Sequence, residues 1–187
     1  MTQSFEPSPQ PPAQNSIPDE RMIAMQRVQA AIAELTRRMK NGANNFYWIA
    51  ALSVINSLVL QFGGDSYFVV GLASTLMVDS IVVEVAGSMT EGAMIVKLIG
   101  LAISIFIAAI FAVLGFIAGK GKRWAFITGM VLYGLDAVLM LLFQDWIGVL
   151  FHGFFLWGLF GGLRALGELN KLAPPAPTSD FPQSIGM

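Results

Sequence analysis

Long apolar runs separated by short polar breaks make up most of this chain, and four of the runs predict membrane-spanning helices. They cover residues 46–62, 93–118, 124–143 and 146–166. A helix rises about 1.5 Å per residue, so about 20 apolar residues cross the roughly 30 Å hydrocarbon core of a bilayer. The pattern therefore predicts an all-α membrane protein, with a bundle of four transmembrane helices in residues 44–168.

Residues 66–87 differ from these runs because acidic residues interrupt them. Asp79 and Glu84 would share one broad helix face with Thr75, which predicts an amphipathic helix. This segment is expected to lie at the outer membrane interface, or to re-enter the membrane packed against the bundle. Asp79 and Glu84 themselves are interpreted as a solvated helix face. The alternative is a five-span topology in which residues 66–87 cross the membrane.

The N-terminal region predicts a cytoplasmic amphipathic helix over residues 19–41 that ends at Asn41-Gly42, with Asn44 or Asn45 capping the next helix. Its apolar stripe fits a helix lying along the membrane face or, alternatively, a self-association surface. The stripe consists of Met25, Val28, Ile32, Leu35 and Met39. Residues 1–18 and 172–187 are rich in proline and polar residues, so both tails are predicted to be disordered.

The distribution of charge favours four spans over five. With four spans, all the basic residues that flank the apolar runs fall on one side, as expected for the cytoplasmic side of a membrane. These residues are Arg37, Arg38, Lys40, Lys120, Lys122, Arg123, Arg164 and Lys171. A fifth span would move the last five of them outside. We therefore expect four spans with both termini in the cytoplasm.

Composition narrows the chemistry. The 187 residues are 55% hydrophobic and 12% charged, with no cysteine and one histidine, which excludes disulfides, thiol catalysis and multi-histidine metal sites. The basic residues flank apolar runs and form no nucleic-acid patch. The HExxH, GxSxG and GxxxxGK[ST] motifs are absent. The sequence thus predicts no enzyme activity and no cofactor, and its expected partners are the lipid bilayer and a membrane protein, either a second copy or another chain.

Two ionisable residues inside apolar runs, Asp136 and His152, are the candidate functional pair. They lie equally far from Gln144 in a predicted antiparallel hairpin, which places them at one depth, about 12 Å below the outer interface. One hypothesis is a proton or cation carrier built on this pair; the favoured hypothesis is a structural hydrogen bond that fixes helix register. The residues expected to support the pair are Tyr133, Asn56, Lys97 and Ser104.

Small residues at helical spacing predict close helix packing. One track contains Gly115 and Gly119, and a second contains Gly158, Gly161 and Gly162. Together with the N-terminal stripe, they favour a non-enzymatic protein that acts through helix contacts, as an accessory or assembly partner.

Three stretches of the bundle carry a resemblance to known proteins. They are NNFYWIAALSVINSLV (44–59), WAFITGMVLYGLDAVLMLL (124–142) and QDWIGVLFHGFFLWGLFGGLRAL (144–166). They resemble a family of small bacterial multi-pass membrane proteins with no assigned activity. The residues that carry the likeness are Trp124, Gly129, Met130, Tyr133, Asp136, Asp145, Trp146, His152 and Gly162. The resemblance implies a bacterial cytoplasmic (inner) membrane and no particular reaction.

Overall fold

The computed structural model describes residues 16–63 and 71–172, and this part of the chain forms five helices and no strand. The helices are α1 (Ser16–Gln61), α2 (Ala73–Gly87), α3 (Ala93–Gly119), α4 (Arg123–Leu142) and α5 (Trp146–Leu172). The predicted disordered tails lie outside the described residues, except that α1 begins at Ser16 and α5 extends to Leu172. Residues 66–70 of the predicted outer segment also lie outside them.

Four of these helices are long and apolar enough to cross a membrane: α1 over Glu20–Gln61, and α3, α4 and α5. The prediction of an all-α protein with four candidate spans is thus confirmed. The helix α2 has 15 residues, or about 22 Å at about 1.5 Å per residue. It is shorter than the hydrocarbon core and is not among the candidate spans that the described residues contain.

The first helix is continuous, and the predicted break at Asn41-Gly42 is wrong. Residues 41–45 are helical, so neither Asn44 nor Asn45 begins a new helix. A glycine weakens an isolated helix, but Gly42 is buried and its missing side chain is required by packing. A Cβ on Gly42 would collide with the backbone of Gly162 on α5. Backbone contact with α5 therefore accounts for a glycine inside a helix.

The chain divides into two compact units, with the boundary between Glu34 and Leu35. In the first unit, Met25 and Val28 of the predicted apolar stripe are exposed. In the second unit, the core centres on the fully buried ring of Phe46. The ring centroid of Phe46 lies 6.4 Å from that of Phe111 on α3 and 6.2 Å from that of Phe126 on α4. These rings join α1 to the α3–α4 hairpin.

Glycines make room for Phe46. A Cβ on Gly115 of α3 would lie 2.9 Å from the Cβ of Phe46, and one on Gly129 of α4 would overlap its ring. Gly119, one turn after Gly115, faces Ala43 of α1. The small-residue track predicted on α3 thus packs against α1.

A tight turn joins α4 to α5 and sets the register of the hairpin. Gln144 adopts a left-handed conformation with φ of 59°. The following residue, Asp145, accepts a hydrogen bond from the backbone N–H of Gly148 on its Oδ1 at 2.9 Å. Asp145 thus caps α5 as the sequence predicts. The chain then runs back along α4, which brings Asp136 and His152 to the same level.

Candidate functional site: two buried carboxylates around helix α2

Asp136 and His152 are in direct contact in the interior. His152 is fully buried and Asp136 is 5% exposed. The Nε2 atom of His152 lies 3.0 Å from Oδ2 of Asp136. The pair lies about 9 Å from the Leu142 end of α4, at about 1.5 Å per residue. The two residues that the sequence places at one depth therefore meet.

The same carboxylate caps helix α2. The backbone N–H of Ala73 donates to Oδ2 of Asp136 at 2.6 Å, and that of Ser74 donates to Oδ1 at 2.9 Å. Leu72, at the N-cap position, provides no side-chain hydrogen bond. The first N–H groups of a helix need an acceptor and favour negative charge. Asp136 on α4 therefore serves as the N-cap of α2, although it belongs to a different helix.

Hydrogen-bond donors and acceptors determine the net charge of the pair. The Nδ1 atom of His152 lies 2.8 Å from the carbonyl oxygen of Gly148, so Nδ1 must carry a hydrogen and donate it. The bond between Nε2 and Asp136 then requires one more proton, on either the imidazole or the carboxyl group. In both arrangements the pair is neutral overall, which suits an interior where an isolated charge is costly.

Tyr133 covers the imidazole. Its ring stacks on His152 with centroids 4.4 Å apart and planes 16° apart, and it meets Phe111 and Phe155 edge-on. The Tyr133 hydroxyl is buried without a hydrogen-bond partner. Tyr133 is therefore brought to the pair, as expected, but it contributes its ring rather than its hydroxyl.

The start of α2 lies well inside the bundle, beside α1. The backbone N–H of Leu72 donates to Oγ of Ser53 at 2.9 Å. Ser53 lies about 12 Å before the Gln61 end of α1, at about 1.5 Å per residue. Seven residues later, Asp79 of α2 meets Gln61 itself. Helix α2 therefore runs parallel to the last part of α1. Asn56 lies on the same side of α1, with its amide filling the space beside Gly71.

Asp79 forms a second buried polar cluster, and its interpretation as part of a solvated face is wrong. Its side chain is completely buried, whereas Glu84 is exposed as predicted. The Oδ1 atom of Asp79 accepts from Nε2 of Gln61 at 2.8 Å and from Oγ of Ser104 on α3 at 2.9 Å. Ser104, which the sequence predicts to support the Asp136–His152 pair, instead binds Asp79.

The remaining predicted residue, Lys97, does not join either cluster. It is half-buried on α3, two turns before Ser104. Tyr133 contacts α3 at Phe111, about 21 Å further along the helix at about 1.5 Å per residue. Lys97 is thus remote from the Asp136–His152 pair. Sequence periodicity puts Asp79 and Lys97 on helix faces, but it does not tell which faces are covered.

A groove lies between the middle of α1 and the C-terminal half of α5. It has a volume of about 780 Å³ and is lined by Asn41 and Asn45 of α1 and by Gly158, Gly161 and Arg164 of α5, among others. A side chain at Gly161 would meet nothing within 4 Å, whereas one at Gly158 would collide with the Asn45 amide. The backbone at Gly161 is thus open to an occupant of the groove.

Comparison with known proteins identifies no relative: no protein family, no curated protein and no solved structure matches this chain.

Proposed function

We propose that this chain is a non-enzymatic, multi-pass protein of the bacterial cytoplasmic membrane that acts as an accessory partner for another membrane protein. The observation that carries the proposal is the groove between α1 and α5. We propose that it receives one transmembrane helix of a different protein.

The lining of the groove supports a helix as the occupant. Membrane helices associate through small residues that let backbones approach and through polar side chains that bond across the contact. Gly161 provides the first feature, and Asn41 and Asn45 provide the second. The space above Gly161 is open, so a helix can approach the groove there without displacing a side chain.

We further propose that α2 re-enters the membrane from the outer side. Its N-terminus is bonded to Asp136 and Ser53, away from the ends of α4 and α1. Backbone at membrane depth is tolerated where protein shields it, and Gly71, Leu72 and Ala73 are all buried. Both termini would lie in the cytoplasm, on the side where the basic residues that flank the spans collect.

The Asp136–His152 pair supports a structural role better than a carrier role. Both carboxylate oxygens of Asp136 accept backbone N–H groups of α2, and both nitrogens of His152 are engaged. A carrier at this pair would have to break the cap of α2 in each cycle. We therefore retain transport of protons or cations only as the alternative, to be measured as ion flux in liposomes.

A photo-crosslinking amino acid at position 161 tests the accessory function in native membranes. Gly153 is the matched control position, because it lies on the same helix and is exposed. A side chain there would also meet nothing within 4 Å, but Gly153 does not line the groove. We expect position 161, and not 153, to cross-link to a transmembrane peptide of one other membrane protein. Gly161→Leu should abolish co-purification of that protein, and Gly153→Leu should not.

Two results would contradict the proposal. Cross-links from position 161 to a second copy of this chain would make the groove a self-association surface. Cross-links to lipid alone would make it part of the lipid-facing surface. In addition, proton flux by the purified protein that Asp136→Asn removes, with the fold intact, would favour the carrier instead.

A further inference from the structure

One carboxyl oxygen of Asp79 is buried without a hydrogen-bond partner, whereas both oxygens of Asp136 have partners. The Oδ1 atom of Asp79 accepts two hydrogen bonds, from Gln61 and Ser104. Its Oδ2 atom is buried with no hydrogen-bond partner. By contrast, both oxygens of Asp136 have hydrogen-bond partners, which are Ala73, Ser74 and His152. A buried acceptor without a donor costs about 1–3 kcal/mol, and more when the group is charged.

Gln61, which donates to Asp79, also has a buried oxygen without a hydrogen-bond partner. Gln61 is 1% exposed, and its Nε2 donates to Asp79 while its Oε1 is buried with no partner. Ser57, one turn earlier on α1, is also fully buried with an unpaired hydroxyl. Oδ2 and Oε1 are both acceptors, so they cannot satisfy each other. One hydrogen on Oδ2 would convert it into a donor.

The side chains around Asp79 do not supply a compensating positive charge. The side chains that bind it are Gln61 on α1 and Ser104 on α3, and both are uncharged. Lys97 lies two turns before Ser104 on α3, and neither it nor any other base in residues 20–63 and 71–172 forms an ion pair with Asp79. The next acid on α2, Glu84, is exposed. The remaining charged group beside α2, Asp136 of α4, is already paired with His152.

A multivalent metal ion is not favoured by the donor set. Within the described part of the chain, no three side chains of the His, Cys, Asp and Glu types come together. A single carboxyl group with uncharged partners can balance only one positive charge. A proton fits this requirement, because it would need only one further hydrogen-bond acceptor.

We propose that Asp79 is a proton-binding site, and that its carboxyl group carries a proton on Oδ2 while α2 lies between α1 and α3. The proton is donated toward Oε1 of Gln61, and Oδ1 continues to accept from Gln61 and Ser104. An ionised Asp79 would leave an uncompensated charge in this contact. Release of the proton is therefore coupled to separation of α2 from α1 and α3. This site is distinct from the α1–α5 groove and does not depend on the accessory function.

Infrared spectroscopy of the full-length protein in lipid nanodiscs at pH 7 tests the proposal. A protonated carboxyl group has a C=O stretching band that a carboxylate lacks. An exposed carboxyl group of ordinary acidity is protonated in only about one molecule in 500 at pH 7. We expect a protonated-carboxyl band that Asp79→Asn abolishes and that Glu84→Gln, a matched change on the exposed face of the same helix, leaves unchanged.

Asp79→Asn should also fold, because an amide at this position can accept from Gln61 and Ser104 and donate to Oε1 of Gln61. If this variant is unstable, Asp79→Glu keeps the titrating group and should shift the band instead. Identical spectra for wild type and the position 79 variants would overturn the proposal. A band that appears only when sodium is replaced by choline would also overturn it, since a sodium ion would then occupy the site.

Discussion

The backbone N–H of Ala73 donates a 2.6 Å hydrogen bond to the carboxylate of Asp136, which lies 63 residues further along the chain. Helix α2 has no side-chain cap of its own. Asp136 on α4 takes that role and also binds His152 on α5. One carboxylate thus connects three helices, and the stability of the bundle should depend on it.

Asp136→Asn should destabilise the protein by about 3 kcal/mol, because an amide cannot accept on both of its polar atoms, which leaves a buried N–H of α2 or the imidazole of His152 without its partner. The measurement is the free energy of unfolding by denaturant in mixed micelles. The double variant with His152→Gln should lose less than the sum of the two single changes, since both remove the same contact. Glu84→Gln serves as the exposed control. Additive effects would contradict the coupling.

Tyr133→Phe should be neutral or stabilising by up to about 1 kcal/mol, because the buried hydroxyl that it removes has no partner. Tyr133→Leu should cost about 3 kcal/mol, because it also removes the ring stacked on His152. The same unfolding measurement separates the two variants. A loss above about 1 kcal/mol for the Phe variant would indicate that the hydroxyl forms a bond in the folded protein.

Gly42→Ala should destabilise the bundle by about 1–3 kcal/mol through overpacking. The new Cβ would meet the Gly162 backbone, which cannot turn away as a side chain can. The control is Gly167→Ala on α5, where a Cβ meets nothing within 4 Å. That change should be neutral or gain up to about 1 kcal/mol from helix propensity. Equal effects would show that α1 and α5 do not touch at Gly42.

Fusion reporters test the proposed topology. A green fluorescent protein fused after residue 187 should fluoresce, because we place the C-terminus in the cytoplasm, where this reporter folds. Alkaline phosphatase at that position should be inactive, and the same enzyme inserted at Glu91, between α2 and α3, should be active. Phosphatase activity at the C-terminus would reverse the charge-based assignment.

Apolar run length determined the number of candidate spans, because crossing a bilayer requires a fixed length of helix. The hairpin geometry was also local. Asp136 and His152 lie equally far from Gln144, so an antiparallel turn there is sufficient to bring them level. The N-cap role of Asp145 depends on residues three apart and was predictable for the same reason.

Tertiary packing decided the features that join distant segments. Gly42 lies inside α1 because the backbone of Gly162 is next to it, whereas the local sequence favours a helix end. Asp79 is buried because Gln61 and Ser104 cover it, although its own helix pattern suits a solvated face. A residue's position in a helix sets the direction of its side chain, but only the neighbouring elements decide whether that side chain meets water, lipid or another polar group.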